Sequence, residues 1–353
     1  PGELIGILKE RDINFPTAIL AILKAGGAYL PIDSSYPLER IKYMLSHSGI
    51  KVLLTDSSFS PDLIGELLEQ CTQLKYIIYL DIKPSNLKQI EAGNKCIFDR
   101  LDFEQRSREN LVTKNCGTDP AYVIYTSGST GLPKGAIIRH GGAINHIYAQ
   151  FDALEFIENF SFLQSAPASS DISVWQFLAP LLIGGKTVIV DTETVASPEK
   201  LFQVIQQQQI TIVELVPIVL TNLIDYISHL PTHQRALPTL KWMMVTGESA
   251  SVELVNQWLH LYPAIKVVNA YGPTEAADDI TQFIIDQPLL ENQRTVPIGK
   301  PLANLNLYIL DRKMQLLPIG VAGEICVSGF GVGAGYWQNG VKNQLSFVPN
   351  PFP

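Results

Sequence analysis

Cysteine is scarce: Cys71, Cys96, Cys116 and Cys326 are the four in 353 residues. No two stand at CxxC spacing and no nearby histidine completes a zinc pattern, which excludes a disulfide scaffold and points to reduced thiols in a cytoplasmic protein. No apolar run approaches the roughly 20 residues that cross a bilayer. The opening Pro1-Gly2-Glu3-Leu4 has neither the basic stretch nor the apolar core of a signal peptide. Long basic runs are missing too, and the net charge is −8, so nucleic acid is not expected as a partner. There is no internal repeat. The spacing G-x-x-x-x-G-K-[ST] does not occur, so a P-loop fold is not implied.

What is present is enough apolar sequence for a large core, 46% of the chain. The length exceeds one compact unit, so two or three subdomains are expected. Residues 15–25 are densely apolar and stop at Gly26-Gly27, a helix ended by glycine. A short buried strand is expected at 28–32, a helix at 38–48, strands at 51–55 and 75–80, and a helix at 63–70. Residues 81–120 are polar and charged and read as a surface excursion into the next strand, 121–125. The alternation resumes with strands at 186–190, 211–216 and 266–269 and helices at 198–209 and 252–261. The Gln206–Gln209 run reads as a solvated helix face. Such alternation implies α/β layers around largely parallel sheets. From about residue 296 short strands (305–310, 324–327) separated by Pro and Gly turns suggest a small β-rich part. The expected organisation is an α/β unit over 1–145, a second over 146–295, and a small β-rich, barrel-like subdomain over 296–353.

The densest chemical signal is YTSGSTGLPKG at 125–135, which follows a predicted strand. Gly128, Gly131 and Gly135 let the backbone bend and bring its N–H groups near a ligand. Thr126, Ser127, Ser129 and Thr130 add hydroxyls, and Lys134 adds a positive charge. Converging N–H groups beside a cation suit an oligophosphate. A plain Gly/Ser hairpin would explain the glycines but not the hydroxyls with Pro133-Lys134-Gly135.

This segment resembles the phosphate-binding loop of the adenylate-forming superfamily, which includes acyl-CoA synthetases, luciferases and adenylation domains. LKAGGAYLPID (23–33), NAYGPTE (269–275), VPIGKP (296–301) and GEICVSG (323–329) running on to Gly335-Tyr336-Trp337 resemble blocks of nonribosomal peptide synthetase adenylation domains. The resemblance spans nearly the whole chain. It implies an enzyme that joins an amino acid to AMP using ATP and Mg²⁺. The product would load onto the phosphopantetheine thiol of a carrier-protein partner in a larger synthetase. Within it, Lys134 and the loop would hold phosphates. Tyr271, flanked by Asn269, Ala270 and Gly272, would stack on adenine. Thr274 would bond the α-phosphate, and Glu275 would hold Mg²⁺.

Asp171 separates amino-acid activation from the rest of the superfamily. It matches the aspartate that binds the substrate α-ammonium, whereas acyl-CoA or aryl-acid ligases bind acids without an amine. A carboxylate in an apolar segment is costly to bury without a cation. The plainer alternative is a helix N-cap. Ser170 departs from the family, which has Phe before this aspartate. The resemblance places the side-chain pocket at Ile172, Trp175, Glu214, Met244, Thr246, Gly247, Ala270, Asp278 and Asp279. Three acids in one pocket repel unless a cation enters, so a basic substrate is expected: arginine first, since its planar fork can bond two carboxylates, then lysine or ornithine. Adjacent strand residues point to opposite faces. On that geometry only one of Asp278 and Asp279 would face the pocket, and tyrosine is then an alternative or second substrate. A non-catalytic binding module derived from the same fold is a further alternative.

The resemblance also implies a smaller C-terminal subdomain bearing a catalytic lysine, which this sequence does not contain. The chain alone is therefore expected to bind its ligands but adenylate slowly, and pyrophosphate exchange by this chain should fall well below the rate of its intact parent.

Overall fold

The computed structural model describes residues 1–85, 95–127, 132–156, 160–290 and 292–352. The chain divides into two compact units, one of residues 1–141, 168–170 and 333–353, the other of residues 142–167 and 171–332.

The first unit is built on an eight-stranded sheet. Its strands are β1 (Leu4–Leu8), β2 (Ala28–Ile32), β3 (Val52–Thr55), β4 (Tyr76–Tyr79), β5 (Cys96–Phe98), β6 (Pro120–Thr126), β7 (Lys134–Arg139) and β17 (Gly335–Tyr336), in the order β17-β7-β6-β2-β1-β3-β4-β5. From β5 across to β6 the pairings are parallel; β7 and β17 add antiparallel edges. Helices α1 (Asn14–Ala25), α2 (Leu38–Ser48) and α3 (Pro61–Gln70) connect its parallel strands. Gly26 ends α1 at φ 91°, the left-handed geometry a Cβ disfavours, and its N–H returns to the last turn. Ser60 caps α3 ahead of Pro61. Leu8, Leu30, Leu53, Ile64, Leu67 and Ile77 are among the residues that fill the core on this sheet.

The second unit carries a seven-stranded sheet of β8 (Ser161–Gln164), β9 (Lys186–Ile189), β10 (Ile212–Leu215), β11 (Trp242–Val245), β12 (Lys266–Tyr271), β13 (Thr281–Ile285) and β14 (Lys300–Pro301). The order is β14-β13-β12-β11-β10-β8-β9, parallel from β9 to β12 and antiparallel beyond. Its helices are α4 (His140–Ala153), α5 (Ile172–Leu182), α6 (Thr192–Ala196), α7 (Pro198–Gln207), α8 (Pro217–His229) and α9 (Val252–Leu261). Because side chains alternate along a strand, one sheet face presents Val213, Leu215, Met243, Val245 and Val267 to a core with α7, α8 and α9. The other face presents Ile212, Met244, Val268 and Ala270 to Ile147 of α4 and Trp175 of α5. The ribbon β15 (Leu305–Leu310) with β16 (Glu324–Gly329) is antiparallel, and α10 (Gly340–Ser346) follows β17. No helix among the described residues is long and apolar enough to cross a membrane.

The mixed α/β, layered-sheet expectation holds. Residues 296–332 belong to the second compact unit and residues 333–353 to the first. The polar stretch 81–120 is not wholly an excursion: β5 lies within it and extends the sheet beside β4.

Trp258 of α9 is fully buried in the second unit's core. Trp258→Ala should cost about 3–5 kcal/mol of that unit's stability, read as a lower midpoint in chemical denaturation.

Candidate functional site

In the first unit Thr126 ends β6 and Lys134 begins β7, and the two are register partners in this antiparallel pair. Of the loop positions named from the sequence, Gly128, Ser129, Thr130 and Gly131 lie outside the described residues; Ser127 is exposed. The hairpin base is held firmly. His47 Nδ1 lies 2.7 Å from the Tyr125 hydroxyl, and the Tyr43 hydroxyl donates to the Pro133 carbonyl at 3.2 Å. Lys134 Nζ donates to the Tyr336 hydroxyl of β17 at 2.7 Å. The Thr126 hydroxyl is buried without a hydrogen-bond partner.

In the second unit Trp175, Met244 and Ala270 share one core, and hydrogen bonds join Trp175 to Glu214 and Thr246 to Asp279. Register aligns Glu214 with Met244 and Met244 with Val268, so Glu214 shares their face. Thr246 and Gly247 follow β11, Ala270 is buried near the end of β12, and Tyr271 closes that strand, 40% exposed. Carboxyl ends of parallel strands are where open α/β sheets bind ligands.

Asp171 sits at the N-cap of α5, next to Ile172. One carboxylate oxygen accepts the Ile172 N–H at 3.1 Å and the other accepts the Thr274 hydroxyl at 2.5 Å. Thr274 and Glu275 lie on a short 3₁₀ turn after β12, both half-buried.

Asp278 and Asp279 are not on a strand. Ala277 and Asp278 take φ 63° and 81°, conformations that cost about 1–3 kcal/mol each in a non-glycine residue. This turn, rather than strand alternation, sets the two side chains, and both are buried: Glu214, Asp278 and Asp279 are 1%, 3% and 1% exposed. The alternation on which the one-sided alternative rested is therefore absent at these two positions. Gly272 permits the turn, since a Cβ there would stand 1.9 Å from the Asp278 carbonyl oxygen.

The acids have neutral donors. Trp175 Nε1 and Gln176 Nε2 donate to Glu214 Oε2 at 2.8 and 3.1 Å. Gln150 Nε2 and the Thr246 hydroxyl donate to Asp279 at 2.9 and 3.2 Å. Glu214 Oε1 and Asp278 Oδ2 have no hydrogen-bond partner. His146 Nε2 is 3.9 Å from Asp278 Oδ2, beyond hydrogen-bond reach. Among the described residues no Lys or Arg pairs with these three acids. Burial first, then the neighbouring Asp279, holds Glu214 well above the usual carboxylate range; Asp278 is raised by burial, then by Asp279. Burial pushes Asp279 up to about 7, while His146 is pulled down to about 3. His146, Gln150 and Gln176 were not legible as site residues. The one signal was His146 and Gln150 at i, i+4 on one helix face.

A family model described as AMP-binding enzyme matches residues 1–337. The chain belongs to the AMP-binding enzyme family. It is 35% identical over 349 residues to gramicidin S synthase 1 of Brevibacillus brevis, covering 99% of this chain and 28% of that protein. It is 35% identical over 357 residues to gramicidin S synthase 2 of the same organism, covering 100% of this chain and 7% of that one. The chain thus spans a small part of these relatives. Among solved structures it is similar to the nonribosomal peptide synthetase FmoA3 in its alpha-methyl-L-serine-AMP bound form, with TM-score 0.83 and 27% identity over 99% of this chain and 36% of that one. It is also similar to a four-domain nonribosomal peptide synthetase bound to AMP and glycine, with TM-score 0.76 and 26% identity, covering 99% of this chain and 23% of that one.

Asp279 and His146 give opposite pH dependences. A raised acid stabilises the fold less as pH rises from about 4 to 7, because only the unfolded state ionises there. A depressed histidine stabilises it less as pH falls from about 6.5 to 3, because only the unfolded state protonates. Relative to wild type, Asp279→Asn should therefore lose stability at pH 5 compared with pH 7.5, and His146→Gln should gain it. Denaturation midpoints at the two pH values read both.

Proposed function

We propose that this chain carries the ATP and amino-acid sites of a synthetase domain that forms an aminoacyl-AMP, and that its substrate has a basic side chain. The carrying observation is the buried acid cluster: three carboxyl groups, two oxygens without partners, and no protein cation paired with them among the described residues. An ammonium or guanidinium entering there would ionise the acids and satisfy those oxygens. Arginine fits best, because its fork offers several donors in one plane; lysine or ornithine comes next. Ile172, Trp175, Met244, Thr246, Gly247 and Ala270 would shape the walls around the stem. Asp171 would take the α-ammonium.

In the reaction a substrate carboxylate oxygen attacks the α-phosphorus of ATP, and pyrophosphate leaves with the bonding electrons. Catalysis is then positioning and stabilisation of charge on the phosphoryl oxygens. Lys134 and the loop beside it would meet phosphate. Thr274 would donate to the α-phosphate, leaving Asp171 to the substrate, and Tyr271 with Asn269 and Gly272 would seat the adenine. Glu275, a half-buried hard oxygen donor, suits Mg²⁺, which when bound neutralises phosphate charge. The relatives are long synthetases, which supports a carrier-protein domain with its phosphopantetheine thiol as the acceptor.

Thermal shifts with and without nucleotide test this on a panel of arginine, lysine, ornithine, tyrosine, phenylalanine and leucine. A ligand at about 100 times its Kd adds roughly 2.7 kcal/mol. Arginine should raise the melting temperature; Asp171→Ala should abolish the rise and Glu214→Gln should weaken it. A shift with tyrosine or leucine but no basic amino acid would overturn the basic pocket while leaving amino-acid activation standing. Binding only of acids lacking an amine would instead indicate an acyl- or aryl-acid ligase.

A further inference from the structure

The acid cluster has a second layer, supplied by α4, that the pocket-lining set does not include. His146 and Gln150 are both buried on this helix. Gln150 Oε1 accepts from Gln282 Nε2 of β13, and its Nε2 faces Asp279 and His146. Its Nε2 then carries two hydrogens toward two neighbours: Asp279 Oδ2 at 2.9 Å and His146 Nε2 at 3.0 Å. With Gln150 Nε2 as the donor, His146 Nε2 accepts, which a neutral ring does and a protonated one does not. The ring is further set by its edge contact with Trp175, centroids 6.1 Å apart, and Trp175 is itself a donor to Glu214.

The consequence is electrostatic. A protonated His146 would place a cation 3.9 Å from the unpartnered oxygen of Asp278. The other titratable groups facing this region are all acids: Asp171 at the start of α5, Glu214 of β10, and Asp278 and Asp279 of the turn. With His146 neutral, the cluster has no counter-ion among the described residues, so its raised acids ionise only as a cation enters.

We infer that His146 and Gln150 are positioning residues for side-chain selection: Gln150 holds His146 as a neutral acceptor, so that the buried acids discriminate for a cationic amino-acid side chain. This rests on the basic-substrate reading above. The two residues act through Asp278 and Asp279 and take no part in phosphoryl transfer.

The test compares arginine with citrulline, which has nearly the same shape and no charge, in pyrophosphate exchange by the intact synthetase carrying this chain. Wild type should favour arginine at least tenfold in kcat/KM. Gln150→Met, which removes the donor and lets His146 Nε2 take a proton, should raise the arginine KM at least tenfold with kcat and the ATP KM unchanged, and it should compress the arginine preference. His146→Leu, which removes the ionisable ring, should keep the preference within threefold of wild type, and combining it with Gln150→Met should restore the preference that Gln150→Met loses. An unchanged preference in Gln150→Met, or a compressed one in the double variant, would overturn the inference and leave the basic pocket intact. A wild-type enzyme indifferent to arginine and citrulline would overturn the basic reading itself, and this inference with it.

Discussion

A carboxylate leaving water must gain a proton, a cation or several hydrogen bonds, and the second unit takes three of them out of water side by side. Around that constraint its other choices fall into place. Trp175, Gln176, Gln150 and Thr246 are donors without charge, enough to quiet half of the carboxyl oxygens and too few to quiet the rest. The backbone accommodates the arrangement with two successive left-handed residues and a glycine through which the turn passes. Such strain persists where the surroundings over-determine it, and here the fixed neighbours are β12, β13 and the buried glutamine of α4.

The parts of the fold visible in sequence were those with a repeating period or a contiguous motif. The helix at 15–25 with its glycine stop, the strand at 28–32 and the strand at 121–125 ahead of the glycine-rich motif each announce themselves within a dozen residues. β5 did not, because three residues are too few to show alternation and the surrounding sequence is charged. Nor did the long α8, whose apolar content reads equally as strand or helix. The pocket acids were legible only through the family blocks around them. The turn at Ala277 and Asp278 that buries them was not, since two left-handed non-glycine residues leave no periodic signal in the sequence. His146 and Gln150 had no sequence signal beyond their shared helix face: Gln150 meets Asp279 across 129 residues of chain, a distance over which periodicity is silent.

The two units also differ in how they prepare for a ligand. In the first, the hairpin base is fixed from beside it by His47, Tyr43 and Tyr336, and the cation Lys134 is steadied by a phenol. In the second, the buried acids are steadied by amides, a hydroxyl and an indole. Neutral partners of this kind orient a charged group without cancelling its charge, which leaves both signs in a form a ligand can use.

The alternation of β10 and β11 carries a longer-range consequence. Glu214 and Met244 lie on the sheet face toward α4 and α5, while Val213, Leu215, Met243 and Val245, their immediate chain neighbours, face the largest core of the unit. Evolution can therefore edit the recognition face one residue at a time without touching the load borne by the other face. A sheet so divided is a changeable lock mounted on an unchanging door, and relatives sharing about a third of their residues can keep the same hinges while accepting different keys.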